Sequence, residues 1–230
     1  MKNVTAIIAA AGQGLRMANS TRKQYLFLEK VPVLARSLNI FLESEQVSEV
    51  IAVIPAADKA AVQNLLQPFC PIERIRLVEG GATRQESVNR GLEAIKSRPD
   101  LVCIHDAARP LLSKELLASL LQAAQKWGAA IPVLPLADTV KKIDRDGLVL
   151  STPERESLRQ VQTPQVFKID LITRAYSNAS QNQIEATDDA SLVEALKEPV
   201  VTVPGEVKNL KITSPLDLAL AALLIKEDKG

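Results

Sequence analysis

Short apolar runs, each closed by glycine, proline or a charged residue, alternate with amphipathic segments from residue 4 to residue 134. The first run, residues 4–11, is broken only by Thr5. A strand with one face in solvent alternates apolar and polar residues, so an unbroken run belongs to a strand covered on both faces. Such strands form parallel sheets, and consecutive parallel strands need a crossover segment between them. The expected fold is α/β: a mostly parallel sheet flanked by helices.

The punctuation supports this alternation. Further strands are expected at Val47–Ile54, where Pro55 stops the run, at 74–78 before Gly80-Gly81, at 101–105 and at 129–134. Helices are expected from Pro32, over 56–66, over 83–95 and over Lys114–Trp127 with Gly128 at its end. Thr83 with Glu86 three residues on reads as a capping box. Residues 136–160 break the rhythm. The runs 139–143 and 148–150 flank Asp144-Arg145-Asp146-Gly147, a hairpin signal. Such a hairpin projects from a parallel sheet, and its alternating side chains suit a dimer contact; a flap without a partner is the other reading. Beyond it, a strand Gln165–Lys168, helices over 169–178 and 188–196, a strand 200–203 and a short strand 210–213 are expected. Thr213-Ser214-Pro215 opens a last helix carrying Leu216, Leu218, Leu220 and Leu223. Without a repeat or a low-complexity linker, the chain reads as one domain over 1–230.

Composition excludes several functions. Lys plus Arg number 28 against 27 Asp plus Glu, a net +1, so no global basic field attracts nucleic acid. Aromatics are only 3%, which also disfavours base-stacking platforms. Cys70, Cys103 and His105 are the whole complement of their types, too few for a disulfide framework or a Cys/His zinc site. The sequence has no apolar run of about 18 residues for a membrane span, and the N-terminus is unlike a signal or transit peptide. These features point to a soluble cytoplasmic protein, with a bacterium as the expected source.

The chemistry-bearing residues sit at the expected strand ends. Ala10-Ala11-Gly12-Gln13-Gly14-Leu15-Arg16-Met17, followed by Lys23-Gln24-Tyr25, puts backbone N–H groups and two cations at the carboxyl edge of the sheet. That edge is where open α/β sheets bind ligands, and such donors cradle phosphates. Neither a Walker A loop nor the dinucleotide fingerprint fits, since Met17 stands where a third glycine belongs. Gly80-Gly81-Ala82-Thr83-Arg84-Gln85-Glu86-Ser87 is a second glycine turn opening a helix, whose free N–H groups can face a base or phosphate. In His105-Asp106-Ala107-Ala108-Arg109-Pro110, Asp106 is a candidate to hold Mg²⁺ beside phosphates, an ordinary helix N-cap being the other reading, while His105 reads as structural. Thr163-Pro164-Gln165, Thr187-Asp188-Asp189-Ala190-Ser191 and Lys208-Asn209-Leu210-Lys211-Ile212-Thr213 complete the set. Lys211 lies within an apolar run and is a candidate to point into an anionic site.

In this order the segments closely resemble the 2-C-methyl-D-erythritol 4-phosphate cytidylyltransferases, over essentially the whole chain. The resemblance implies a Rossmann-like nucleotidyltransferase fold with a protruding β-arm that builds a homodimer. It implies CTP and 2-C-methyl-D-erythritol 4-phosphate as substrates, Mg²⁺ or another divalent cation as cofactor, and neither nucleic acid nor membrane as partner. Residue by residue, Ala10, Ala11, Gly12 and Gly14 match the loop on the nucleotide, and Gly80 and Ser87 match positions that select cytosine. Arg16, Lys23 and Lys211 match the cations around the triphosphate and transition state. Asp106 matches the metal, nucleotide and substrate position. Arg109 and Thr187 match substrate contacts. Thr139 and Arg155 match arm residues that reach the acceptor in the neighbouring subunit's site. Arg22 stands where the family commonly has proline, and Lys208 where some members carry an acid.

The implied reaction suits this chain. The acceptor phosphate attacks the α-phosphorus of CTP and pyrophosphate leaves. With a second pKa of about 6 the attacking phosphate is largely ionised at neutral pH and needs no general base. It needs positioning and neutralisation of anionic oxygens. Ribitol 5-phosphate cytidylyltransferase is the nearest rival, but that group tends to open with Leu-Ala-Gly-Gly, where this chain has Ala9-Ala10-Ala11-Gly12. A non-catalytic CTP-binding module would not require the whole set Arg16, Lys23, Asp106 and Lys211. A nicotinamide-dependent dehydrogenase would need the third glycine and an acid where Pro55 stands.

Overall fold

The computed structural model describes residues 3–12 and 22–227. In chain order the elements are β1 (Val4–Ala9), β2 (Phe27–Leu28), β3 (Val31–Pro32), α1 (Val33–Leu42), β4 (Val47–Ile54), α2 (Lys59–Leu66), β5 (Ile75–Glu79), α3 (Arg84–Glu93), β6 (Leu101–Asp106) and α4 (Lys114–Trp127). They continue with β7 (Ala129–Pro135), β8 (Lys142–Ile143), β9 (Val149–Ser151), β10 (Arg159–Val161), β11 (Gln165–Lys168), α5 (Ile169–Asn182), α6 (Asp189–Ala195), β12 (Val201–Pro204) and α7 (Pro215–Glu227).

The main sheet runs β10-β7-β11-β6-β1-β4-β5, with β12 also paired to β7. β6, β1, β4 and β5 are parallel throughout, as the unbroken apolar runs require. The other half is mixed. β11 is antiparallel to both β6 and β7, and β10 is antiparallel to β7. The reason is the arm: the chain leaves the carboxyl end of β7, forms the β8–β9 hairpin and returns, so β10 and β11 run backwards along β7, whereas the later β12 is parallel to it. β10 and the two-residue β2–β3 hairpin are too short to leave a periodic signal in the sequence.

The core lies on both faces of the sheet. Ala6 and Ile8 of β1 pack with Leu34, Leu38 and Phe41 of α1, Val62 and Leu66 of α2, and Leu117 and Leu120 of α4. Ile7 faces the other way, towards Val88 of α3, Ile172 and Ala175 of α5, and Leu192 of α6. Each of the larger side chains contributes about 1.5–3 kcal/mol by leaving water, and period-two alternation along β1 divides them between the layers. Gly128 closes α4 with φ +95°, a conformation that favours glycine.

One expectation is corrected. Residues 210–213 form no strand, because the Ile212 N–H bonds the Ala108 carbonyl (2.8 Å) and the Thr213 N–H bonds the Asp217 carboxylate (2.8 Å). The arm hairpin forms where the sequence places it, around Asp144-Arg145-Asp146-Gly147. Asp144 Oδ1 accepts from the N–H groups of Asp146 (3.0 Å) and Leu148 (2.8 Å), which places the strands at β8 and β9. No helix among the described residues is long and apolar enough to cross a membrane.

Candidate functional site

Parallel register gathers the strand ends. Ala9 pairs with Val53 and with Asp106, and Ile54 pairs with Glu79, so the loops after β1, β4, β5 and β6 open on one edge. There they enclose a cleft of about 360 Å³ lined by Ala10, Ala11, Gly12, Lys23, Gly80, Ser87, Asp106 and Lys211 among others.

The nucleotide side is built by close backbone approach. A side chain on Gly80 would put its Cβ 2.3 Å from the Ala11 Cβ and 2.9 Å from Ser87 Oγ. Only glycine lets the two loops meet. Ser87 Oγ accepts from the Gly81 N–H (3.1 Å) and donates to the Thr83 carbonyl (2.8 Å), tying the turn to α3. Thr83 caps α3 through the Glu86 N–H (3.0 Å), and Glu86 reaches back to the Ala82 N–H (2.6 Å), one residue before the reciprocal bond of a full capping box. Lys23 sits in a one-turn helix, Lys23–Tyr25, that is pinned on both sides. Gln24, buried, donates to the carbonyls of Ala10 (2.7 Å) and Gly12 (3.3 Å). Asp58 takes Arg22 (2.8 Å) and the Tyr25 hydroxyl (2.9 Å).

Asp106 is the electrostatic centre. Its Oδ2 lies 2.6 Å from Lys211 Nζ and its Oδ1 3.2 Å from Arg84 Nε. Burial alone would raise its pKa, but Arg84 and Lys211 outweigh that and hold the carboxyl well below the usual carboxylate range. Its N–H donates to Thr163 Oγ1 (3.0 Å), and that hydroxyl also meets His105 Nδ1 (3.1 Å). His105 Nε2 faces the Arg109 carbonyl (3.0 Å), an acceptor, so the ring donates from Nε2. Burial pushes its pKa down to about 4, so His105 is neutral scaffolding with both nitrogens satisfied, as the sequence suggested.

A second group of bonds ties α3 to the segment entering α6. Arg84 grips Asp189 with both terminal nitrogens (Nη1–Oδ1 3.1 Å, Nη2–Oδ2 2.7 Å), and the Tyr176 hydroxyl donates to Asp189 Oδ1 (2.6 Å). Burial would lower the Arg84 pKa, but Asp189 and Asp106 raise it further above its ordinary value. Gln85 donates to the Ile184 carbonyl (3.0 Å) and accepts from the Ala186 N–H (3.0 Å). Gln165, fully buried on β11, donates to Asp188 Oδ2 (2.7 Å) and accepts from the N–H groups of Asp189 and Ala190 (3.0 Å each).

The sequence candidates thus divide. Ala10, Ala11, Gly12, Lys23, Gly80, Ser87, Asp106 and Lys211 share the cleft. Arg16 and Gly14 lie outside the described residues. Arg109 is buried behind the cleft, Nη1 on the Asn209 carbonyl (2.7 Å), and its Nε finds no partner among the described residues. Thr187 is exposed in the segment before α6; Thr139 and Arg155 are exposed on the arm. Arg84, Gln24, Gln165 and Asp189 stand within the sequence motifs, but no local signal gives them a part. Their partners lie between 12 and 105 residues away, and no local pattern reveals them.

The donor set fits a magnesium ion only together with phosphate. No group of three or more His, Cys, Asp or Glu converges among the described residues. Asp106 offers one ionised carboxylate in the cleft, and each oxygen engaged by a cation keeps a lone pair. Magnesium in phosphate chemistry takes one or two carboxylates and completes its shell with phosphate oxygens and water.

Comparisons with known proteins agree with this geometry. The family model of 2-C-methyl-D-erythritol 4-phosphate cytidylyltransferase matches residues 4–227. A protein of that name from Symbiobacterium thermophilum is 45% identical over 225 residues, 98% of this chain and 94% of that protein. The crystal structure of 4-diphosphocytidyl-2C-methyl-D-erythritol synthase from Anaerococcus prevotii superposes with a TM-score of 0.85 at 34% identity, covering 98% and 99% of the two chains. That of 2-C-methyl-D-erythritol 4-phosphate cytidylyltransferase from Thermus thermophilus gives a TM-score of 0.81 at 38% identity, covering 97% and 99%.

Proposed function

The chain belongs to the 2-C-methyl-D-erythritol 4-phosphate cytidylyltransferase family, and from that premise we propose that the cleft at the carboxyl edge of β1, β4, β5 and β6 is its active site. The protein is a nucleotidyltransferase. It transfers the cytidylyl group of CTP to 2-C-methyl-D-erythritol 4-phosphate, giving 4-diphosphocytidyl-2-C-methyl-D-erythritol and pyrophosphate.

The observation that carries the assignment is the Asp106 cluster: one ionised carboxylate between Arg84 and Lys211, in a cleft lined by Gly12 and the Gly80-Gly81 turn. The loop Ala10–Gly14 takes the triphosphate on backbone N–H groups. Gly80 and Ser87 take the cytosine, the Ser87 hydroxyl and the main chain of the turn discriminating its edge. Asp106 would hold a divalent cation with the phosphates, which supplies charge neutralisation there. Lys23 and Lys211, with Arg16 as the third expected cation, neutralise the oxygens on which charge builds as the acceptor phosphate attacks in line with departing pyrophosphate. No residue needs to move a proton, which suits a site whose only histidine is buried and neutral.

The acceptor side is assembled from Thr187 and, from a second subunit, Thr139 and Arg155, with Arg109 supporting from behind. Supporting this reading, Ile143, Leu148, Val149 and Leu150 of the arm are 57%, 67%, 61% and 58% exposed. Four neighbouring large apolar side chains in water mark an interaction surface, and a homodimer through the arm covers them. Arg155 is anchored by Nη1 on the Ala137 carbonyl (2.8 Å) at the base of that arm. The expected compartment is the cytoplasm.

The test is pyrophosphate release from CTP and Mg²⁺ with 2-C-methyl-D-erythritol 4-phosphate and ribitol 5-phosphate offered in parallel. Release with the erythritol alone is expected. Release with ribitol 5-phosphate alone would move the substrate reading, and CTP binding without release from either would make the protein a sensor.

A further inference from the structure

α3 starts at the nucleotide turn, and its first two residues both reach the segment 184–189. Arg84 also lines the cleft and touches Asp106. Gln85 does not line the cleft. Its amide instead makes a two-point bond, Nε2 to the Ile184 carbonyl and Oε1 from the Ala186 N–H, each 3.0 Å, to residues 99 and 101 positions away. The far half of the segment is fixed independently. Gln165 holds Asp188, Asp189 and Ala190, and Arg84 holds Asp189. Thr187 therefore stands exposed between two clamps, and Gln85 is the clamp on its N-terminal side.

We infer that Gln85 is a positioning residue for the acceptor phosphate: it fixes the Thr187 segment against the nucleotide turn and sets acceptor binding without touching either reactant. The inference rests on the proposed reading that this segment meets the acceptor. With the clamp, the segment is ordered before the acceptor arrives, so binding loses less conformational entropy. Without it, Glu185 to Thr187 spans open between Ile184 and Asp188, while Ser87 still holds the turn to α3.

The experiment is steady-state kinetics on Gln85→Met, which keeps the side-chain length and removes both bonds. Binary CTP affinity is measured by calorimetry, and Thr187→Ala is assayed alongside. KM for 2-C-methyl-D-erythritol 4-phosphate is expected to rise about tenfold, the scale of two lost hydrogen bonds, with CTP affinity within about twofold of the parent. Gln85→Glu, which keeps an acceptor for the Ala186 N–H but sets a second oxygen against the Ile184 carbonyl, is expected to show a rise as well. An unchanged acceptor KM in both variants, or an equal loss of CTP affinity, overturns the inference. A rise in Gln85→Met with none in Thr187→Ala keeps the inference and removes Thr187 from the acceptor site. A rise in Thr187→Ala alone does the reverse.

Discussion

In the cleft a buried carboxylate is paired, Asp106 lying between the more exposed Arg84 and Lys211. In the arm the apolar groups are exposed, from Ile143 to Leu150. Each inverts the usual distribution of side chains, for opposite reasons. Buried ionised groups persist only where partners offset the loss of water, so the cleft is stable within one chain and preset for anions. Exposed leucines and valines have no such offset, so the arm is complete only against a partner surface. On the proposed reading, the nucleotide site is finished in one subunit and the acceptor site needs two.

Four variants or conditions break or sharpen this contrast. The largest effect is expected inside the cleft. Lys23→Ala lowers kcat by at least about 10², roughly 2.7 kcal/mol of transition-state stabilisation, with the dimer unchanged; kcat within threefold of the parent by pyrophosphate release would remove Lys23 from the chemistry. On the arm, Leu148→Asp with Leu150→Asp is expected to give monomers by analytical ultracentrifugation. It should lower kcat/KM for the acceptor about tenfold or more, the scale of a lost set of binding contacts, while CTP affinity stays near that of the parent. A monomer with full acceptor turnover would show the arm to be dispensable.

The acid limb of the rate comes third. Asp106 is held ionised well below the usual carboxylate range, so it stays charged as pH falls through 5. The limb in kcat/KM should follow the acceptor phosphate and bend at about pH 6. An acceptor analogue whose phosphate has a lower second pKa should move the bend down; an unmoved bend would assign it to the protein.

The smallest effect is on stability. The unfolded chain protonates His105 at its ordinary pKa of 6.5, whereas the folded chain resists until about 4. Its contribution is therefore full above pH 6.5 and is lost as pH falls towards 4. His105→Gln, which cannot titrate, should lose fewer degrees of Tm between pH 7 and pH 4.5 than the parent. Equal losses by calorimetry would mean that His105 does not couple folding to pH in this window.

What could be read in the sequence follows the same divide between local and distant. The strand ends at Gly12, Pro55, Gly80 and Asp106 are punctuated by residues whose backbone or charge preferences act locally, and parallel register brings them together. Lys211 was marked because a lysine interrupts an apolar run, and it reaches Asp106 although its segment is irregular rather than a strand. The Arg84–Asp189 pair and the Gln85 and Gln165 clamps could not be read, because each joins residues 23 to 105 apart whose types are ordinary in surface helices and loops. The antiparallel return of β10 and β11 was hidden likewise, since its cause is where the arm leaves and re-enters the sheet.

The proposed sharing of the site between subunits is tested most directly by subunit complementation. Lys23→Ala, defective in its own cleft, and Arg155→Ala, defective in the arm, are co-expressed with different tags and the mixed dimer is isolated. In a two-fold dimer with arms exchanged, one of its two sites carries both defects and the other neither, so the mixed dimer should recover about half the parent activity. Activity no higher than the mean of the two single-variant dimers would contradict a site completed by the partner's arm.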